Sequence, residues 1–293
     1  MLLLTGATGL VGSTLLGRLL AEGSQVRCLV RDPKGLGSRR VRVQIALGDL
    51  TDPPSFRNAM RGVHTVVHLA ASIRDQPSGS IEELNGIATW RMVEAAQRQG
   101  VERFIYFSAL GASTHHRTRL LRAKALAEQA VRAADLHTIV FAPSIIYAPG
   151  DPWLTLLERL SLLPVMPVSG RGRALYQPIW AEDVADCVIT ALRSSAGAAS
   201  ERHELAGPET LSHDDIVRTV LASLHRRRPL VHVPTPLVSR SLRLLEAGVA
   251  GRAFATWDEA ELMEVAMTSA RGAADAQALG VSPQRLAAVL GGG

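Results

Sequence analysis

Cysteine is nearly absent from this chain, with Cys28 and Cys187 the only two in 293 residues. They lie far apart, each among apolar neighbours and neither at a metal-ligand spacing. That excludes a disulfide framework and a cysteine metal centre. Both are expected as buried thiols in a reducing, cytoplasmic compartment, and no metal site is expected anywhere. There is no run of eighteen apolar residues, so no membrane-spanning helix is expected. A basic stripe interleaved with aromatics is missing too. The formal charge of +5 is spread along the chain, densest in "HRRR" at His225 to Arg228. That pattern describes a solvated basic surface and excludes nucleic acid as the expected partner. It also suits anionic ligands, phosphates among them. No signal peptide is expected, because the first strand starts at Met1 and runs straight into a glycine-rich turn.

What is present is a globular composition, 47% hydrophobic and 20% charged, which argues against extensive disorder. The first half alternates short apolar runs with helical patterns. "LLLT", "QVRCLV", "VRVQIAL", "TVVHLA", "RFIYFS" and "HTIVFAP" read as strands. Helical spacing fills the gaps, from Leu10 to Gly23, Pro54 to Met60, Ile81 to Gln99 and Arg117 to Ala134. Uninterrupted apolar strands with helical crossovers predict an α/β fold, a doubly wound parallel Rossmann sheet buried on both faces. After Pro149 prolines and glycines cluster and the rhythm changes. Residues 1–150 are expected to form the dinucleotide-binding domain, with 181–200 returning to it. Residues 151–180 and 201–293 are expected to form a smaller C-terminal substrate lobe. Within that lobe Ser212 and Asp215 predict a capping box. The stretch Pro234 to Gly251 is amphipathic, and two readings stay open: a helix packed on its own lobe, which is favoured, or a peripheral membrane contact.

"TGATGLVG" places Gly6, Gly9 and Gly12 after a strand and at the opening of a helix. Gly6 permits the tight turn, Gly9 lets Thr8, Gly9 and Leu10 amides approach a pyrophosphate, and Gly12 lets helix and strand pack closely. Specificity turns on the end of the second strand, where "CLVRDP" offers Arg31 and Asp32. Arg31 follows the last apolar strand position and is expected to meet a ribose 2′-phosphate, while Asp32 before Pro33 reads as a turn residue. NADP(H) is therefore expected over NAD(H). Asp49 and Leu50 are expected at the adenine, and Ala70 and Ala71 where the cofactor backbone passes. His68 is expected as a satisfied core histidine.

These motifs in order resemble the short-chain dehydrogenase/reductase superfamily, in its atypical NAD(P)-binding branch. "LNGIATWRMVEAAQRQGVERFIYFSALGA" and "FAPSIIYAPGD" extend the match, and "PVSGRGRALYQPIWAEDVADCVITAL" is similar to the subgroup related to the nucleotide-binding accessory subunit of respiratory complex I, with NmrA-like and epimerase-like relatives. The resemblance implies that Ser108, at the end of the fifth strand, and a Tyr-x-x-x-Lys pair form a reductive site, with Pro143 beside the cofactor. Ser108 and Lys124 match, but Leu120 stands in place of the tyrosine. Trp180 replaces a common histidine. The expected activity is hydride transfer to a small apolar or planar acceptor, with Tyr147, Trp153 and Trp180 near the small-molecule substrate and with Lys124, water or the His115–His116 pair standing in for the acid. The alternative is a non-catalytic NAD(P)(H)-binding sensor or accessory protein.

Overall fold

The computed structural model describes residues 1–194, 200–234 and 261–291. In chain order the elements are β1 (Leu2–Thr5), α1 (Leu10–Ala21), β2 (Val26–Val30), β3 (Gln44–Leu47), α2 (Pro53–Arg57), β4 (Thr65–His68), α3 (Ala88–Arg98), β5 (Arg103–Phe107), α4 (Arg119–Arg132) and β6 (His137–Pro143). There follow β7 (Ile146–Tyr147), α5 (Pro152–Leu160), β8 (Met166–Ser169), β9 (Leu175–Tyr176), β10 (Ile179–Trp180), α6 (Ala181–Arg193), β11 (Glu201–Leu205), β12 (Leu211–Ser212), α7 (His213–Ser223) and β13 (Leu230–Val233), then short helices Ala274–Ala278 and Leu286–Gly291.

Seven strands form one sheet in the order β11-β6-β5-β4-β1-β2-β3, and every pairing in it is parallel. The period of two sorts the strand residues onto opposite faces. Leu3, Leu29, Val66, Phe104, Tyr106 and Val140 pack with buried residues of α2, α3 and α4 on one face. Leu4, Cys28, Val67, Ile105, Phe107 and Phe141 pack with α1 and α6 on the other. Burying each large apolar side chain in these layers contributes roughly 1.5–3 kcal/mol before conformational entropy is set against it. Both cysteines are free and buried in the α1/α6 layer, where burial pushes each thiol up to about 12.

Three segments depart from the expected pattern. Glu201–Leu205 belongs to the outer edge of the main sheet, paired in parallel with β6, and not to the smaller lobe. It is held there by side chains from elsewhere: Arg202 reaches Glu128 of α4 at 2.9 Å, and the Glu204 amide donates to Asp275 at 2.7 Å. "VRVQIAL" is extended only over Gln44–Leu47, because the preceding residues coil onto α1, with Arg39 donating to Ser13 O and Arg42 to Leu20 O. The helix expected from Ile81 opens with a π turn, Glu83–Ile87, before the regular α3.

The smaller lobe closes around Tyr147, Tyr176, Leu154, Met166, Val217 and Val220. Its capping box is formed as expected, Ser212 and Asp215 each bonding the other's backbone amide. Ser144 Oγ donates to Met267 O at 2.6 Å, tying the last described segment to the end of β6. Among the described residues no helix is long and apolar enough to cross a membrane, and no group of histidine, cysteine, aspartate and glutamate is arranged to hold a metal. The amphipathic stretch after Pro234 and the final glycines Gly292 and Gly293 lie outside the described residues.

Candidate functional site

A cleft of about 490 Å³ opens at the carboxyl ends of β1, β2 and β4, where an open parallel sheet ordinarily receives its ligand. Its floor is the turn between β1 and α1. Gly6 adopts φ +72°, and a Cβ there would lie 2.7 Å from Ala70 N. A Cβ on Gly12 would lie 2.0 Å from Gly6 O, so α1 touches the turn backbone to backbone. Gly9 differs from both. It has an extended conformation open to any residue, and its Cβ would meet only Gly6 O, at 3.3 Å. An alanine there asks Gly6 O to give by only a few tenths of an ångström, far less than at Gly6 or Gly12. The missing side chain leaves room on the cleft side, in front of amides that have no partner within the helix.

The structure brings Gly6, Thr8, Gly9, Arg31, Asp49, Leu50, Ala70 and Ala71 together around this cleft. Leu10 and Gly12 stand behind it in α1. Arg31 is exposed and forms no hydrogen bond or ion pair with any described residue. Asp32 also borders the cleft, but its carboxylate accepts the Lys34 amide at 2.8 Å, which makes it the cap of the next turn. Asp49 accepts from both the amide and hydroxyl of Thr51 at 2.9 Å, and this fixes the corner beside Leu50. Uncompensated cation, open amides and a cradle that a Cβ would narrow are together the features a dinucleotide phosphate chain needs.

One wall is set by a polar chain that sequence reasoning missed. Thr89 Oγ1 gives its proton to Asn85 O, so it accepts from His68 Nε2–H at 3.0 Å. That leaves His68 Nδ1 to accept the Thr5 hydroxyl at 2.7 Å. Burial, aided by the Lys124 charge, holds the imidazole neutral by lowering it to about 3. Asn85, in the π turn, bonds Ser72 through both ends of its amide. Ser72 and Gln76 line the cleft. Their loop is clasped from α4, because Arg119 bonds both Asp75 and Glu82. These bonds to Arg119 hold both carboxyls below their usual range. An asparagine–glycine pair inside a helical pattern was the available signal for the π turn. The clasp had none, since its members are 44 and 37 residues apart.

Beyond the cleft, at the end of β5, Ser108 is buried and its hydroxyl has no partner among the described residues. Lys124 projects from α4 across the Tyr106 ring, 5.1 Å from its centre, and its Nζ donates to Phe107 O at 2.6 Å. Burial brings Lys124 down to about 8. Leu120, one turn earlier, offers no proton. Neither Ser108, Lys124 nor Pro143 reaches the cleft wall. The three lobe aromatics are brought together, Tyr147 in the core and the two tryptophans half-buried against it. Trp180 and Tyr147 are strand partners, Tyr147 is wholly buried with its hydroxyl unpartnered, and Trp153 and Trp180 pack against the same cluster. Burial, with the charges of Asp183 and Glu209 after it, raises the Tyr147 phenol well above its ordinary value. His115 is exposed, while His116 is tied to Thr118 and lowered by burial and two arginines.

A protein family described as NAD(P)H-binding matches residues 6–195. The chain belongs to that family. It is similar to subunit 9 of the NADH dehydrogenase 1 alpha subcomplex of Arabidopsis thaliana, 28% identical over 244 residues that make up 79% of this chain and 60% of that protein. The chain thus spans about three-fifths of that relative's length. It is also similar to a ceramide reductase of Caulobacter vibrioides, 28% identical over 246 residues, 83% of this chain and 77% of the reductase. Among solved structures, UDP-glucose 4-epimerase of Thermus thermophilus in complex with NAD shares the fold with a TM-score of 0.74 at 18% identity, covering 99% of this chain and 96% of the epimerase. The family match shows an NAD(P)H-binding protein, and the likeness to the epimerase shows the fold.

Two outcomes separate the glycines and locate the lysine. Gly9→Ala keeps its urea midpoint while nucleotide affinity, measured by calorimetry, falls about tenfold or more, a loss of ~1.4 kcal/mol. Gly12→Ala loses roughly 3 kcal/mol of stability whether or not nucleotide is present. For Lys124 the folded chain sheds its proton near pH 8 and the unfolded chain near 10.5. Between those values the unfolded state binds more protons, so stability rises with pH by roughly 3 kcal/mol in total. Urea unfolding of Lys124→Met removes that rise, and its advantage over the parent at neutral pH shrinks across the same window.

Proposed function

We propose that the chain is an NADP(H)-dependent reductase that passes hydride to a small apolar or planar acceptor, such as a carbonyl, quinone, enone or imine, without the tyrosine that usually accompanies the lysine. In this reading Gly6, Thr8, Gly9 and Leu10 receive the pyrophosphate, with Gly12 holding α1 in position. Arg31 meets the 2′-phosphate, Asp49 and Leu50 flank the adenine, and Ala70 and Ala71 let the dinucleotide pass. Pro143, Ser108 and Lys124 border the nicotinamide end. Residues 151–180 and the chain after β11 cover the substrate. The two buried thiols support a reducing, cytoplasmic location. The free Arg31 beside the occupied Asp32 supports NADP(H) over NAD(H), since a guanidinium forks onto phosphate while the nearby carboxylate is already engaged.

Bound there, the nicotinamide supplies the hydride. The chain supplies orientation and a proton. Turnover, rather than storage of the nucleotide, rests on one observation: the Ser108 hydroxyl is buried without a partner, next to the carbonyl that holds Lys124 Nζ. Native interiors seldom strand a hydroxyl, so its O–H is free for an acceptor's oxygen. Lys124, lowered to about 8, keeps a proton that leaves readily near neutral pH. A second reading, a non-catalytic nucleotide sensor or accessory protein, is favoured by Leu120, by the bond that turns Nζ toward Phe107 O, and by the likeness to a complex I subunit.

The test follows NADPH absorbance with quinones, enones and aldehydes. Acceptor-dependent oxidation that is lost in Lys124→Met and reduced in Ser108→Ala is the expected result. Leu120→Tyr should raise aldehyde reduction by up to ~10² while leaving quinones unchanged. Arg31→Ala should erase roughly 10- to 100-fold of NADPH preference, the worth of a charged hydrogen bond. Tight NADPH binding with no oxidation by any acceptor class selects the sensor.

A further inference from the structure

Away from the cleft, at one end of the smaller lobe, the turn after α5 reads Leu162-Leu163-Pro164-Val165. All four residues are exposed, Leu162 by 67%, Leu163 by 45% and Val165 by 38%. A folded chain leaves so long an apolar run in water where a partner covers it. The base of the turn is fixed to the arginine run behind α7. Arg226 donates to Ser161 Oγ and to Glu158 O, Arg228 Nε donates to Ser161 O at 3.2 Å, and the Met166 amide donates to Pro229 O at 2.9 Å. His225, at φ 54° the only described residue other than glycine in the left-handed region, reverses the chain so that these arginines follow α7 directly. No carboxylate pairs with Arg226, Arg227 or Arg228 among the described residues, and Arg227 is exposed. Val231, 45% exposed on the adjoining strand, extends the apolar surface.

The occupant must therefore supply hydrocarbon for two leucines and, within a side chain's reach, negative charge for three arginines that no carboxylate neutralises among the described residues, of which Arg227 is exposed. Nucleic acid has the charge without the hydrocarbon. We propose that the Leu162–Val165 turn and Arg226–Arg228 dock this lobe on an anionic phospholipid bilayer, the leucines entering the acyl boundary and the arginines lying at the phosphates. The geometry suits an interfacial contact without insertion of a helix, because the apolar tip is one turn deep and its polar base is tied down by hydrogen bonds.

The test sediments the full chain, without nucleotide, with vesicles of phosphatidylcholine alone or mixed with phosphatidylglycerol. The chain should sediment with the mixed vesicles only and be released as salt is raised. Arg227→Ala should weaken partitioning roughly fivefold, and Leu162→Glu combined with Leu163→Glu should abolish it with an unchanged circular dichroism spectrum. The proposal is overturned if the parent stays in the supernatant with both vesicle types, or if the double variant sediments like the parent. It also fails if sedimentation velocity shows the double variant converting a dimer to a monomer while vesicle binding persists, which would make the face a contact between copies of this chain.

Discussion

The contact between Gly12 and the carbonyl of Gly6 is the constraint on which the ligand-facing part of this molecule depends. A helix can start this close to the strand before it only if no side chain intervenes, and the space for one is already filled by backbone. Once α1 is seated there, its unbonded amides face the cleft and its apolar side packs on the sheet opposite the α2, α3 and α4 layer. Fold and anion site are thus one arrangement, in which core packing aims the helix end.

The far end of the site is organised by a different economy. Lys124 is kept in an apolar setting, above an aromatic ring and against one carbonyl, and the loss of solvent weakens its hold on a proton. Its charge in turn helps keep His68 neutral, so the histidine can serve as a fixed strut between Thr5 and Thr89. A tyrosine at position 120 would have brought an ordinary acid to this end. Its absence leaves the Ser108 hydroxyl and the Lys124 amine as the polar groups at this end of α4 and β5.

Much of the main sheet was legible because its signals are local. Apolar strand runs report two buried faces, and the β1 turn announces itself by glycine spacing and by the helix that follows. Arg31 and Asp32 were separable because a residue before proline is a natural turn former, and Asp32 does cap that turn. Placement of β11 on the edge of the main sheet was not legible, since Arg202 and Glu204 are held there by Glu128 and Asp275, far away in sequence. The loop clasp from Arg119 fails for the same reason. The lobe aromatics look alike in sequence as a ligand wall or as a core; Tyr147 is core, while Trp153 and Trp180 are half-buried against it.

The edge strand has a consequence for how the chain is made. β6 emerges from the ribosome well before β11, and α5, β8 to β10 and α6 are made between them. Until Glu201–Leu205 arrives, the outer side of β6 offers a row of unpaired amides and carbonyls, the feature that invites wrong pairing with other chains. Residues 261–291 then secure the late strand, through Asp275 and the Ser269–Glu204 contact. Synthesis that stops before that clasp leaves a nearly whole nucleotide-binding sheet with an adhesive margin, so residues 261–291 act as an internal guard against aggregation.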